Sequence, residues 1–471
     1  MISKKSVKIP EPLVKVSRIF SGDGFKSYLV GGAVRDMLMG KQCHDYDIAT
    51  DASPEQVTEL FKKVIPTGIT HGTVTVHIFG MKLETTTFRT ESAYSDGRHP
   101  DTVSYAPDIE EDLARRDFTM NAIAAELSTG IITDPFCGQK DIAEKIIRTV
   151  GNPLERFSED GLRPVRAIRF ASQLGFRIEE KTFEAISSPD ILRRTSGISA
   201  ERFRDEFCKV LQTEKPSVGL QLLEQTGILG IFIPQFTSCR GCIQQDKRGF
   251  HEFDVADHLF YACDGAPKEN LTVRLAAFFH DIGKPDVRTE STEDGELRIH
   301  FHGHEAASEK KAREILTALK FSNEEIKSVC HLVKEHMFRY ESTWSDAAVR
   351  RFIIRAGKEN LENLFLLRAA DSFAMHRAPL QEHSPEQKQL CELKRRIREC
   401  LEKKSALSLK DLKVNGDDLM ELGIPRGKAL GQILAKLFEA VTDSPQMNSR
   451  ESLLALASRI YREDFVRQQN P

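Results

Sequence analysis

Residues 28–50 read YLVGGAVRDMLMGKQCHDYDIAT, and the fold of the first third of the chain turns on them. An apolar run ends in Gly31-Gly32 and passes into a helical pattern. Beyond it, Asp45 and Asp47 stand one residue apart in a second β-rich run. A strand ending in two glycines lets backbone N–H groups approach an anion with no Cβ in the way, at the positive end of the following helix. Gly31 and Gly32 thus form a phosphate cradle, and Arg35, one turn into the helix, joins them as a nucleotide-binding candidate. Asp45 and Asp47 are i and i+2 on a strand, so both carboxylates point to one face. Two carboxylates at close range stay ionised only with a cation between them, and oxygen ligands beside phosphate specify Mg2+. Two such ions serve an in-line attack of a 3′-hydroxyl on a nucleoside triphosphate. Taken alone, the aspartate pair also fits an Asx-rich turn that caps a helix.

From residue 26 to about 134, short β-rich runs (SYLV, DYDIAT, GTVTVHIF, MKLETTTF) alternate with helical stretches such as 54–63, opened by Ser53 and Pro54. From about 150 the strands give way to apolar residues at i, i+3, i+4 spacing in RPVRAIRFASQLGF, AERFRDEFCKVLQ and PSVGLQLLEQTGILGIF. Polar, glycine- or proline-bearing breaks fall at 235–250 and 377–385. EQKQLCELKRRIRECLEKK (386–404) reads as a charge-laced helix with a solvated face. The expected class is α+β, a small N-terminal α/β head followed by a mostly α-helical remainder.

The chain has 471 residues, 40% hydrophobic and 29% charged, with a net charge of −3. That length implies several domains. A nucleic-acid surface must therefore come from local clusters of Lys and Arg. MISKKSVKIPEPLVKV has no apolar signal core and no stretch is long enough to span a bilayer, so the expectation is a cytoplasmic protein with no membrane association. Nine cysteines without a framework fit a reducing compartment, and the lone CxxC of Cys239 and Cys242 is read as free thiols.

LVGGAVRD, DYDIAT, ARRDFTMNAIA (114–124) and EDGLRPVRAIRFA (159–171) occur in that order, and together they resemble the class II tRNA nucleotidyltransferase and poly(A) polymerase family. The resemblance implies that Asp45 and Asp47 are catalytic carboxylates binding Mg2+, and that Arg116, Asp117 and Asn121 hold the ribose and phosphates. Glu84, on a neighbouring predicted strand, is a third carboxylate or an ordinary strand glutamate. Asp160 and Arg163, at i and i+3, share a face if helical. A carboxylate accepts from the exocyclic amine of C or A while a guanidinium donates to the adjacent ring nitrogen, which would select CTP and ATP over UTP and GTP. In the family this motif is the template for nucleotide choice; on its own it also reads as a surface ion pair. Pro164 follows the arginine, where the family usually has an aliphatic residue, and a proline inside a helix removes a hydrogen bond. Arg166 and Arg169 continue the spacing, as phosphate contacts or as a solvated stripe.

IPTGITHGTVTV (65–76) has the form of the family's CCA-adding members, and SAYSDGRHPDTV (92–103) matches their flexible loop. The resemblance thus implies addition of C, C and A to the tRNA 3′ end from CTP and ATP, with tRNA as the macromolecular partner and no obligatory protein partner. Poly(A) polymerase is the alternative within the family.

His258, His280-Asp281, His304, His336 and Asp371 form a second series along the helical region. The helix carrying His280 is apolar and is expected to end at Gly283 and Pro285. Buried His and Asp on several helices can converge on divalent metals, with Asp281 bridging. The series resembles the HD phosphohydrolase superfamily, which implies His258, His280, Asp281 and Asp371 as ligands of a first metal of unspecified identity, and His304 and His336 as ligands of a second. An HD phosphohydrolase with a nucleotide-binding head is the alternative from another class. His251, His300, His302 and His376 carry no assignment. LKVNGDDLMELGIPRGKALGQILAKLFEAV (412–441) resembles the C-terminal part of the same nucleotidyltransferases and is not a P-loop, because Ala429 stands where a metal-binding Ser or Thr would be needed. The expected division is a nucleotidyltransferase head at 1–149, a helical neck and body at 150–237, an HD domain at 250–380 and a helical tail at 381–471.

Overall fold

The computed structural model describes residues 6–43, 45–69, 72–92, 102–244, 252–293, 295–403 and 406–466. Most of the expected loop at 92–103 lies outside the described residues, as do Thr70, His71 and His251. Two compact units are present: residues 1–238 with 315–321, and residues 239–314 with 322–471.

The first unit opens with the helix Glu11–Gly22 and then β1 (Ser27–Val30), the helix Gly32–Leu38 and β2 (Tyr46–Thr50). The helix Pro54–Leu60 follows, then β3 (Val64–Gly68), β4 (Thr73–Ile78) and β5 (Met81–Thr87). The expected helix start at Ser53 is present as a capping box: Gln56 N–H donates to Ser53 Oγ at 3.3 Å and Ser53 N–H donates to Gln56 Oε1 at 2.8 Å. β6 (Arg89–Ser92) pairs with β7 (Thr102–Tyr105), and β8 (Ala124–Glu126) and β9 (Ile132–Thr133) complete the region. The main sheet has the order β3-β4-β5-β2-β1-β8-β9, and within it only the β2–β5 pair is parallel.

Alternation along the strands sets both faces of this sheet. Leu29, Ile48, Val74, Val76 and Leu83 pack with Leu13, Val16 and Phe20 of the first helix on one side. Val30, Ala49 and Ala124 pack with Phe88, Ile109 and Leu113 on the other. Each fully buried Leu, Ile, Val or Phe contributes about 1.5–3 kcal/mol, so the central strands β1 and β2 are held from two sides. The residues that project beyond their ends, Gly31 and Asp45, therefore sit on a rigid base.

Helices dominate after residue 150, as the periodicity predicts: Pro153–Glu159, Arg163–Leu174, Ala200–Leu211 and Pro216–Gln225 all occur. Two short strand pairs depart from the all-helical expectation. β10 (Ile146–Ile147) lies parallel to β11 (Arg177–Ile178), and β12 (Thr289–Glu293) forms a hairpin with β13 (Glu296–His300). The hairpin has a sequence signal, an Asp-Gly pair between alternating runs.

His258, His304 and Asp371 lie on the helices Val255–Gly265, His304–Ala318 and Leu361–His376, while His280 and Asp281 follow the helix Leu271–Phe279 and His336 follows Asn323–Glu335. The helix Pro385–Glu402 buries only Leu393, Ile397 and Cys400, in keeping with its expected solvated face. A separate apolar cluster around Leu419, Ile433, Leu437 and Leu453 holds the last helices together. Among the described residues, no helix is long and apolar enough to cross a membrane. Cys239 and Cys242 are buried free thiols.

Candidate functional sites

The first site forms where β1 ends. Gly31 has φ 69° and ψ −136°, a conformation that side chains oppose. A Cβ built there would lie 3.2 Å from Arg116 Nη1 and 3.6 Å from Asp47 Oδ2. Glycine therefore leaves room for a carboxylate and a guanidinium to approach the strand end together. Asp47 faces Val30 on β1 and Glu84 on β5 in the sheet register. Burial raises the Asp47 carboxyl to about 6, the charges of Glu84 and Asp45 add to this, and Arg116 opposes it. Three acidic groups thus share one neighbourhood short of positive charge. This fits a hard divalent cation, and it places Glu84 beside the aspartates rather than elsewhere on the sheet.

A second set of bonds ties the remaining predicted residues together. Buried Arg35 donates from Nη1 to Asn121 Oδ1 at 2.9 Å, and Asn121 Nδ2 donates to Asp117 Oδ1 at 3.2 Å. Arg166 donates to Asp117 Oδ2 from Nε at 2.9 Å and from Nη2 at 2.7 Å. Burial opposes ionisation of Asp117, but the Arg166 guanidinium outweighs it and holds the carboxyl at about 2. Arg166 is thereby a network member and not a solvated stripe. Phe170, which the sequence does not single out, lies under three guanidinium groups: Arg169 at 3.7 Å, Arg35 at 5.2 Å and Arg166 at 5.5 Å from its ring centre.

The geometry expected of Asp160 and Arg163 is corrected. Asp160 is extended (φ −142°, ψ 114°) and ends the helix Pro153–Glu159, while Arg163 begins the helix Arg163–Leu174, so the two do not share a helical face. Asp160 Oδ1 accepts from Leu162 N–H at 2.9 Å and Oδ2 accepts from Arg202 Nη2 at 2.8 Å. Arg163 pairs with Glu159 and donates to the carbonyls of Arg156 (2.9 Å) and Arg115 (3.2 Å). The break also accommodates Pro164, which lies in the first turn of its helix, where no intrahelical N–H bond is lost.

The second site lies wholly within the second unit. Its ligating atoms form two buried triads, His258–His280–Asp371 and Asp281–His304–His336, each with all three atoms within 4.8 Å of one another. Asp281 joins them: Oδ2 is 3.5 Å from His258 Nε2 and 3.3 Å from His280 Nε2, and Oδ1 is 3.2 Å from His304 Nε2 and 3.6 Å from His336 Nε2. His280, His304 and His336 each direct Nδ1 at a carbonyl three residues back, Ala277 (2.9 Å), Phe301 (2.7 Å) and Val333 (2.6 Å). With the proton on Nδ1, the Nε2 lone pairs face the cluster centre, the tautomer a metal requires.

The helix bearing His280 ends at Phe279, earlier than expected, with His280 as its cap. Gly283 serves a different purpose from the expected stop: a Cβ there would meet the Ser308 nitrogen at 2.4 Å, so glycine admits the helix that carries His304. Burial pulls His258 and His336 down, while Asp281 and Asp371 overcome burial to push His280 up to about 10. Asp281 and Asp371 thus favour positive charge at the centre of the cluster, which a bound cation would supply in place of the His280 proton. Lys284, also missed in the sequence, donates to Asp281 Oδ2 and to Gln244 Oε1, both at 2.6 Å.

The poly A polymerase head domain family matches residues 27–148, and tRNA nucleotidyltransferase domain 2 matches residues 300–457. The chain is 34% identical over 449 residues to the CCA-adding enzyme of Enterococcus faecalis, covering 94% of each chain. It is 43% identical over 265 residues to that of Oceanobacillus iheyensis, covering 54% of this chain and 65% of that one. The Bacillus stearothermophilus CCA-adding enzyme in complex with CTP superposes with a TM-score of 0.71 at 29% identity, over 98% of this chain and 99% of that one. The Thermotoga maritima CCA-adding enzyme complexed with tRNA shares the fold at 20% identity, with a TM-score of 0.54 over 95% and 94% of the two chains.

Proposed function

This chain belongs to the family of CCA-adding enzymes, and from that premise we propose how its own residues perform the reaction. The protein is a nucleotidyltransferase that adds C, C and A to the 3′ end of tRNA from CTP and ATP. The family depends on divalent metal, and Asp45 and Asp47, assisted by Glu84, are assigned here as ligands of Mg2+. When bound, the ion supplies charge neutralisation of the triphosphate and acidification of the attacking hydroxyl. Gly31 and Gly32 bring backbone N–H groups to the triphosphate, and Arg116 presents its guanidinium beside them. Arg35, Asn121, Asp117 and Arg166 form one bonded row that orients the ribose and phosphates. The tRNA 3′-oxygen attacks the α-phosphorus, the bond to the β-phosphate oxygen breaks, and pyrophosphate leaves.

Asp160 and Arg163 read the base edge, which requires Arg163 to leave Glu159 and Asp160 to share its carboxylate between Arg202 and the incoming amine. UTP and GTP present a carbonyl where that amine belongs and leave buried groups unpaired. The assigned division is a head at 1–149, neck and body at 150–237, a metal-binding HD domain at 250–380 and a tail at 381–471, in a cytoplasmic protein.

The observation that carries the assignment of the catalytic site is the approach of both Asp47 and Arg116 to the space over Gly31 that a Cβ would fill. The test is tRNA lacking CCA incubated with labelled CTP or ATP. Asp47→Asn is expected to abolish incorporation with tRNA binding retained, and incorporation at the native rate refutes the assignment. A second reading, favoured by the two histidine–aspartate triads, is that the second unit hydrolyses phosphate esters with bound divalent metal. Phosphate release that survives Asp45→Ala but not Asp281→Ala supports it, and metal-loaded protein without such release refutes it.

A further inference from the structure

The buried carboxylate of Asp112 bears directly on this site. It is 1% exposed, on the short helix Ile109–Ala114. Its Oδ1 accepts from Arg115 Nε at 3.0 Å and Nη2 at 2.8 Å, and its Oδ2 accepts from Arg116 Nη2 at 3.2 Å. Arg116 is therefore held by one edge only. Its other amino group, Nη1, stands 3.2 Å from the point a Cβ on Gly31 would occupy, a point 3.6 Å from Asp47 Oδ2, and its buried Nε has no hydrogen-bond partner. A guanidinium this near a carboxylate would ordinarily swing Nη1 into an ion pair with it. That pair would occupy an Asp47 oxygen a metal needs and withdraw the donor a triphosphate needs.

We propose that Asp112 is a positioning residue for nucleotidyl transfer, anchoring Arg116 by Nη2 so that Nη1 stays directed at the triphosphate and off Asp47. This rests on the role given to Arg116 above. A buried anchor acts on every nucleotide alike, because it bears on the phosphates and not on the base.

The experiment measures KM and kcat for CTP and ATP, and KM for tRNA, in the full chain carrying Asp112→Asn, Arg116→Ala, Arg116→Lys or both of the first two changes. Asp112→Asn is expected to raise the KM of CTP and of ATP by the same factor, about tenfold, with the tRNA KM unchanged. It is expected to add nothing in the Arg116→Ala background. Arg116→Lys, which keeps the charge on one nitrogen and leaves Asp112 intact, is expected to match Arg116→Ala; it reads the same point should Asp112→Asn fail to fold. A native KM in Asp112→Asn or Arg116→Lys, with a raised KM in Arg116→Ala, overturns the anchor alone. So do effects of Asp112→Asn and Arg116→Ala that multiply. A native KM in Arg116→Ala overturns the role of Arg116 itself.

Discussion

Gly31→Ala tests the centre of the first site with a single methyl group. Two costs follow from the structure. The backbone at φ 69°, ψ −136° is one that residues with a Cβ occupy at about 1–3 kcal/mol. The methyl would also stand 3.2 Å from Arg116 Nη1 and 3.6 Å from Asp47 Oδ2. The first distance is a few tenths of an ångström too short, so Arg116 must give way, and it is the mobile end of a side chain rather than backbone. The stability loss is therefore the backbone cost, about 1–3 kcal/mol, which in a head of this size corresponds to a fall of roughly 2–12 °C in its unfolding temperature. Activity is expected to fall further, by roughly fourfold in kcat/KM for CTP, because misplacing a positioned group by an ångström costs about a hundredfold and the shift here is about a third of that. Thermal unfolding followed by steady-state incorporation of CTP, at a temperature where both proteins are folded, separates the two. A variant that unfolds earlier but, while folded, turns over at the native rate refutes the claim that the space over Gly31 belongs to the reaction.

The charges around both sites lead to other measurable outcomes. The Asp117 carboxyl lies near 2 against an ordinary 3.8, so its stabilisation, about 2 kcal/mol, is full above roughly pH 5 and is lost as pH falls through about 4 to 2. Denaturant unfolding across that range should show a pH slope that Asp117→Asn flattens, and an unchanged slope counts against the Arg166 pair. Asp160→Ala should admit UTP and GTP to incorporation; a variant that still refuses both contradicts the base-edge reading. Asp281→Ala, which removes the residue common to both triads, should lower bound metal in elemental analysis of the purified protein while leaving CCA addition within about twofold. Undiminished metal content would show that the triads are not its site.

Local sequence was sufficient for the features that depend on neighbours a few residues apart. Gly31-Gly32 after an apolar run, the two-residue spacing of Asp45 and Asp47, the cap at Ser53 and the helical periodicity beyond residue 150 are all set by backbone geometry that repeats within one turn or one pleat. The histidine and aspartate series was legible as candidates because its order along the chain resembles that of a known superfamily and because the segment leading to His280 is apolar.

Tertiary structure decided which of these groups meet and what they meet. Asp117 joins Arg166 across 49 positions and Arg35 joins Asn121 across 86, separations that no local pattern encodes. The spacing of Asp160 and Arg163 suggested one rigid pair, yet a helix break between them sends the carboxylate to Arg202 and the guanidinium to Glu159. Asp112 lay in plain sight four residues before Arg116, but only its burial distinguishes an anchor from an ordinary surface ion pair, because a carboxylate removed from water must keep its partners. Alternation and periodicity specify where a side chain points along its own element; the packing of one element on another supplies the charge, the exclusion of water and the distances that turn pointing into chemistry.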